Sequence, residues 1–234
     1  MNKLIAISSG VENARLAPGE IPSSVLNMAF IELCNRHGAE AIVVPPQSLN
    51  TNFSNPIFDR LIISGGGDIN PTRYNADLGN KSERISDERD NTELNLLHLA
   101  EKNSIKTLGI CRGHQLLNVY KGDTLHQDIS TNVETDIEHM QLDESAYEHI
   151  HKIEILENTT LSGITKEAKV NVNSIHHQVI DNIGSGLKIN AMSEDGLVEG
   201  IESTSEWEAL GIQWHPENLL EDEITYDLMN WLVE

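Results

Sequence analysis

Three short stretches of this sequence are apolar or glycine at every position: Leu61-Ile62-Ile63, Leu108-Gly109-Ile110 and Leu210-Gly211-Ile212. A strand with one wet face alternates apolar and polar residues, whereas a strand that is apolar throughout must be covered on both faces. Leu4–Ser8 and Ala39–Val44 read as further strands, the second ended by Pro45-Pro46. Helical spacing intervenes at Leu26, Ala29, Phe30 and Leu33, where Ser23 or Ser24 is expected as the cap. It returns over Asp90–Lys102 and from Arg112 to about Tyr120. Such alternation predicts an α/β fold, with a mostly parallel central sheet and helices on both faces.

The later part reads differently. His151–Leu156, Lys169–Asn173, Leu187–Met192 and Leu197–Glu202 look like shorter strands, expected to form a small antiparallel excursion. Ile224, Leu228, Trp231 and Leu232 share one side of a final helix, and the acidic segment 130–150 is expected to be an exposed insertion. With 234 residues, 38% of them apolar, one domain spanning 1–234 is expected.

The balance of 16 Lys and Arg against 37 Asp and Glu gives a net charge of −21. That field repels phosphate backbones and anionic membranes, so neither nucleic acid nor membrane is expected as a partner. No run approaches the roughly 18 apolar residues of a spanning helix. The opening Met1–Ile7 is too short and weakly basic for a signal peptide, so a cytoplasmic protein is expected. Cys34 and Cys111 are too few for a disulfide framework.

Chemistry concentrates at Thr107-Leu108-Gly109-Ile110-Cys111-Arg112-Gly113-His114-Gln115. A nucleophile on a sharp strand-to-helix turn needs small neighbours two residues away on each side, and Gly109 and Gly113 supply them. The turn lifts Sγ above the carboxyl edge of the sheet, and the helix N-terminus favours negative charge there. Cys34 lies on an apolar helix face four residues after Phe30 and reads as core. A thiol nucleophile also needs a base and a group to orient it. His215 and Glu217, two apart around Pro216 just beyond a buried strand, form a candidate pair. Ser64-Gly65-Gly66-Gly67 ends another buried strand, but Asp68 and Pro71 follow in place of any phosphate-loop signature. It reads as a turn whose amides face the same edge.

Together these stretches resemble the class I glutamine amidotransferase superfamily with its Cys-His-Glu triad. The γ-glutamyl-γ-aminobutyrate hydrolase branch is closer. It is suggested by Gly67–Pro71 with Tyr74, by Arg89-Asp90 with Glu93, by Asn118-Val119 before Thr124–Ile129, and by Asn173–Gln178, Asp195–Glu199 and Gln213–Glu217. The resemblance implies a flavodoxin-like fold and a standalone hydrolase of γ-glutamyl amides. Cys111 would be the nucleophile, His215 the base and Glu217 its orienting carboxylate. Gly66 and Arg112 would donate backbone N–H groups to the oxyanion, and Gln115 would contact the substrate. Ser174, His176, His177 and Gln178 would wall the acyl site.

The implied partner is a small γ-glutamyl amide, and a homodimer is compatible with this reading. A separate synthetase chain is a partner only under the rival in which the protein is a glutaminase subunit passing ammonia on. A non-catalytic binding module is the other rival, and it leaves the triad idle. No cofactor is expected. The His176-His177 pair, even with His149-x-His151, lacks a two-helical-turn ligand pattern, so no metal is expected either.

Overall fold

The computed structural model describes residues 2–16, 19–47, 55–141 and 147–234. Its first half runs β1 (Leu4–Ser8), β2 (Gly10–Leu16), β3 (Gly19–Val25), α1 (Ala29–Arg36), β4 (Glu40–Val44), β5 (Arg60–Ile63), α2 (Asp87–Lys102), β6 (Thr107–Ile110) and α3 (Arg112–Tyr120). There follow β7 (Leu125–His126), α4 (Ile129–Asn132), β8 (His151–Ile155), α5 (Thr160–Ile164), β9 (Lys169–Val172), β10 (Val179–Ile180), β11 (Leu187–Ser193), β12 (Val198–Ser203), β13 (Ala209–Ile212) and α6 (Glu223–Val233).

Nine strands form one sheet in the order β4-β1-β5-β6-β13-β12-β11-β8-β9. The pairings from β4 to β13 are parallel. From β13 to β9 they are antiparallel, so the excursion is a four-strand extension of the central sheet itself. The period of two along each strand explains the all-apolar runs. Ile5, Ile7, Ile62, Leu108, Ile110, Leu210 and Ile212 face one core, with Phe30, Leu33 and Cys34 of α1 and Ile224, Leu228 and Leu232 of α6. Ala6, Leu61, Ile63 and Ala209 face the opposite core, with Leu96, Leu97 and Ala100 of α2 and Leu116 and Leu117 of α3. Each fully buried Ile or Leu contributes roughly 1.5–3 kcal/mol, so a polar residue on either face would be costly. No helix of the described residues is long and apolar enough to cross a membrane.

Strand and helix limits follow the sequence expectation closely, with two corrections. Ser23 and Ser24 do not cap α1; they lie in β3, which pairs with β2 as a hairpin the sequence did not announce. Ser24 Oγ meets Ser9 Oγ at 2.5 Å, while Asn27 Oδ1 accepts from Ala29 N–H at 3.0 Å and so satisfies the start of α1. The second correction concerns 130–150, part of which, 142–146, lies outside the described residues. His139 within this segment is buried rather than exposed, with 3% of its surface accessible.

Candidate active site

β5, β6 and β13 are neighbours running in parallel, so their carboxyl ends open on one edge of the sheet. Cys111 follows β6 directly and caps α3 at φ 51°, ψ −104°. Positive φ is a strained setting for a side chain, held here by its surroundings. Cys111 N–H donates to Ile212 O at 2.8 Å, tying the elbow to β13. A Cβ on Gly109 would lie 2.5 Å from Gly113 O, and one on Gly113 would lie 2.1 Å from Ile63 O. Only glycine at both positions lets α3 start this close to the sheet. Cys111 Sγ lies 3.8 Å from the carbonyl oxygen of Ile175.

His215 sits just past β13. Asn173 grips its backbone from both sides: Asn173 Oδ1 accepts from His215 N–H at 2.8 Å, and Nδ2 donates to His215 O at 3.0 Å. The ring Nδ1 donates to Glu217 Oε1 at 2.7 Å, which leaves Nε2 without a hydrogen-bond partner among the described residues. A Cβ added to Gly65 would lie 2.8 Å from His215 Cε1 and 3.5 Å from Cys111 Cβ, so the imidazole and the thiol side chain meet across Gly65. Burial alone would push the His215 pKa down, but the negative charge of Glu217 and of a Cys111 thiolate raises it well above 6.5. The ring is therefore poised as an imidazolium. Cys34, by contrast, is fully buried against α6 and the sheet, and burial pushes its thiol up to about 11.

The loop after β5 is held from behind. Arg89 Nη2 donates to the carbonyls of Ser64 and Gly65 at 3.0 and 2.8 Å, and Nε donates to Glu93 Oε1 at 2.8 Å. Gly66 adopts φ 144°, and a Cβ there would collide with Arg89 Nη1 at 2.2 Å. The Arg112 guanidinium reaches back to Glu93 and Asp90, all three buried. Its backbone N–H opens α3 and has no acceptor within the helix. Sequence reasoning noted Arg89, Asp90 and Glu93 without a role; the signal was the four-residue spacing of an arginine and a glutamate on one helix face.

Two cavities meet at this edge. One of about 70 Å³ is lined by Cys111, Gly66, Asp68, Glu83, Arg84, Gln115, Met140 and Ile175–Gln178. The other, about 310 Å³, lies on the His215 and Glu217 side under the β2–β3 hairpin; Gly66, Arg84 and Ile175 border both.

The expected wall residues separate into groups. Gln115 lines the smaller cavity while its Nε2 donates to Gln178 O and Gln213 Oε1 at 3.0 and 3.1 Å. His177 lines it too, with Nε2 3.0 Å from Asp68 Oδ1 and Nδ1 3.4 Å from Asp128 Oδ2. The hydrogen bond to Asp68 raises its pKa against the effect of burial. Ser174 is not brought to the cavity; its Oγ donates to His139 O at 2.9 Å. His176 borders the cavity, but its ring turns toward His139, His151 and Glu199. His149 stands apart from them, 2.6 Å from Asp222. His114 packs against Gly211, fully buried, and burial holds its pKa down to about 3.

The Peptidase C26 family matches residues 3–217. Protein NtpR of Enterococcus hirae is 39% identical over 160 residues, covering 68% of this chain and 66% of its own. The γ-glutamyl-γ-aminobutyrate hydrolase PuuD of Escherichia coli (strain K12) is 34% identical over 134 residues, 55% of this chain and 52% of that protein. Among solved structures, a glutamine amidotransferase from Thermotoga maritima superposes with a TM-score of 0.61, covering 100% of this chain and 87% of that one at 15% identity, a likeness of fold. Elbow, sheet order and family match agree: the chain belongs to the Peptidase C26 family, a glutamine amidotransferase-like group of hydrolases.

Proposed function

We propose that this protein is a thiol hydrolase that cleaves γ-glutamyl amides through a γ-glutamyl thioester. The observation that carries this reading is the strained Cys111 elbow beside the His215–Glu217 pair on the adjoining strand end. The Cys111 thiolate attacks the γ-carbonyl, and the resulting oxyanion takes hydrogen bonds from the Gly66 and Arg112 amides. Imidazolium at His215 gives its proton to the departing amine as the C–N bond breaks. His215, now neutral, takes a proton from water; the hydroxyl adds to the thioester, and glutamate leaves as the thiolate is restored. Glu217 holds the ring orientation and its positive charge throughout.

The two cavities support a division of the substrate. The smaller one, at Cys111, carries Arg84 for an α-carboxylate and Asp68 and Glu83 for an α-ammonium. The larger one receives the amine. A relative named γ-glutamyl-γ-aminobutyrate hydrolase supports a substrate of this class. The test is kcat/KM across γ-glutamyl amines, glutamine and α-linked glutamyl isomers. A site that pairs with the polar groups of the headgroup discriminates against analogues that misplace them, so α-linked isomers should be far slower than γ-linked ones. Equal rates on α- and γ-linked amides would defeat the reading.

A second reading is favoured by a Schizosaccharomyces pombe relative, 36% identical over 195 residues, that is provisionally named a glutamine amidotransferase. A glutaminase subunit would prefer glutamine and be stimulated by a synthetase chain, which the same panel separates from the first.

A further inference from the structure

Behind the acyl site lies a second cluster that the hydrolytic reaction does not use. His139, His151 at the start of β8, His176 and Glu199 in β12 bring one ligand atom each within 4.8 Å of one another. None of the four residues exposes more than 7% of its surface. Glu199 Oε1 stands 3.6 Å from His139 Nδ1, 3.7 Å from His151 Nε2 and 3.5 Å from His176 Nε2. These separations exceed the roughly 2.7–3.2 Å of a hydrogen bond. They are close to the edge of a tetrahedron around zinc, about 3.3 Å for ligand bonds of about 2.0–2.1 Å.

The opposite ring nitrogens fix the tautomers of His139 and His176. His139 Nε2–H donates to Asp195 Oδ2 at 3.0 Å, and His176 Nδ1–H donates to Gln178 O at 3.0 Å. His151 Nδ1 points to Lys152 O at 3.5 Å. Asp195 is itself fixed by the hydroxyls of Thr135 and Ser193. With those protons placed outward, three imidazole lone pairs and a carboxylate point inward; the hydroxyl beside them, Ser174 Oγ at 3.4 Å from His139 Nδ1, donates its proton to His139 O at 2.9 Å. Among the described residues, His151 Nε2, His176 Nε2 and both Glu199 oxygens have no hydrogen-bond partner. Buried acceptors arranged this way are costly without a cation, and histidines oriented by carbonyl and carboxylate partners are the usual surround of a metal.

We infer that His139, His151, His176 and Glu199 form a structural zinc site that ties β8, β12 and the Ile175–His177 segment together. Four protein ligands leave no open position, so the ion would serve folding rather than activate water. Its link to the reaction is positional: His176 adjoins Ile175, whose carbonyl faces Cys111 Sγ.

The full chain, produced in zinc-supplemented medium and purified without chelator, should carry about one zinc per chain by plasma mass spectrometry. Glu199→Gln and His151→Ala should each lower that to less than a tenth, while Cys111→Ser keeps it. Cobalt(II) in place of zinc should show the visible absorption of a tetrahedral site, unchanged in Cys111→Ser. Should the ligand variants fail to fold, wild type alone decides: stripping the metal should lower Tm by roughly 5–10 °C relative to protein at free zinc a hundredfold above Kd, and zinc but not magnesium should restore it. Folded wild-type protein that takes up less than a tenth of an equivalent even after reconstitution overturns the assignment. Undiminished zinc in folded Glu199→Gln and His151→Ala overturns it equally.

Discussion

Arg89 donates from Nη2 to the carbonyl oxygen of Gly65 at 2.8 Å, so a side chain rooted on α2 sets the loop that faces Cys111. Lysine at this position keeps the charge but loses the fork that serves Ser64, Gly65 and Glu93 together. Arg89→Lys should therefore lower kcat at least tenfold with little change in KM, because the Gly66 amide is displaced while the substrate pocket remains. Arg89→Met leaves Glu93 with one cation fewer in a buried network and should cost roughly 3–5 kcal/mol in urea denaturation. Unchanged kcat in a folded Arg89→Lys protein would show that the loop holds itself.

The elbow geometry separates stability from turnover. Cys111 holds a positive φ that glycine adopts without penalty, and such strain costs on the order of 1–3 kcal/mol. Cys111→Gly should be about 1 kcal/mol more stable than Cys111→Ala in urea, with both devoid of turnover. Gly113→Ala, driven against Ile63 O, should lose about 3 kcal/mol or more.

His215 and Glu217 should differ in what their loss does to the pH profile. His215→Ala removes the proton-transfer group and should cost roughly 10²–10⁴-fold in kcat. Glu217→Gln removes the anion that raises the imidazolium pKa, so the alkaline limb of kcat/KM should move to lower pH. Stability follows the same sign. A folded pKa above 6.5 means that the contribution of His215 is complete below that pH and is lost as pH rises through the raised value. Stability curves of wild type and Glu217→Gln should converge at alkaline pH.

The two thiols should be told apart by alkylation. Cys34 is fully buried with its pKa near 11, whereas Cys111 lines a cavity. Limited iodoacetamide at neutral pH should label Cys111 first and abolish activity in step, while Cys34→Ala retains turnover. Peptide mass mapping gives the order.

Cys111, His215 and Glu217 were legible as a candidate group because each carries a local mark. Cys111 lies between two glycines at the end of an all-apolar strand, and His215 and Glu217 bracket a proline at the end of another. The hairpin of β2 and β3 had no such mark: Glu12, Asn13, Pro22, Ser23 and Ser24 carry little apolar alternation, and the paired serines imitate a helix cap that Asn27 provides instead. The histidine cluster was hidden for a different reason. Its members are separated along the chain: His151 and Glu199 are brought near by the antiparallel strands β8, β11 and β12, while His139 and His176 meet through the His176 N–H to His139 O hydrogen bond at 2.9 Å, and no single stretch encodes this. His176-His177 drew notice as a pair, yet the two rings serve opposite sides of the same loop.

The β2–β3 hairpin pairs only with itself in a two-stranded sheet, and most of β3 is exposed to solvent. Yet Val11, Glu12 and Val25 border the larger cavity beside His215. Residues that shape that chamber are thus carried on an appendage whose changes do not propagate into either core. The size and charge of that chamber can therefore be altered without repacking the sheet that carries the elbow and its supporting arginines.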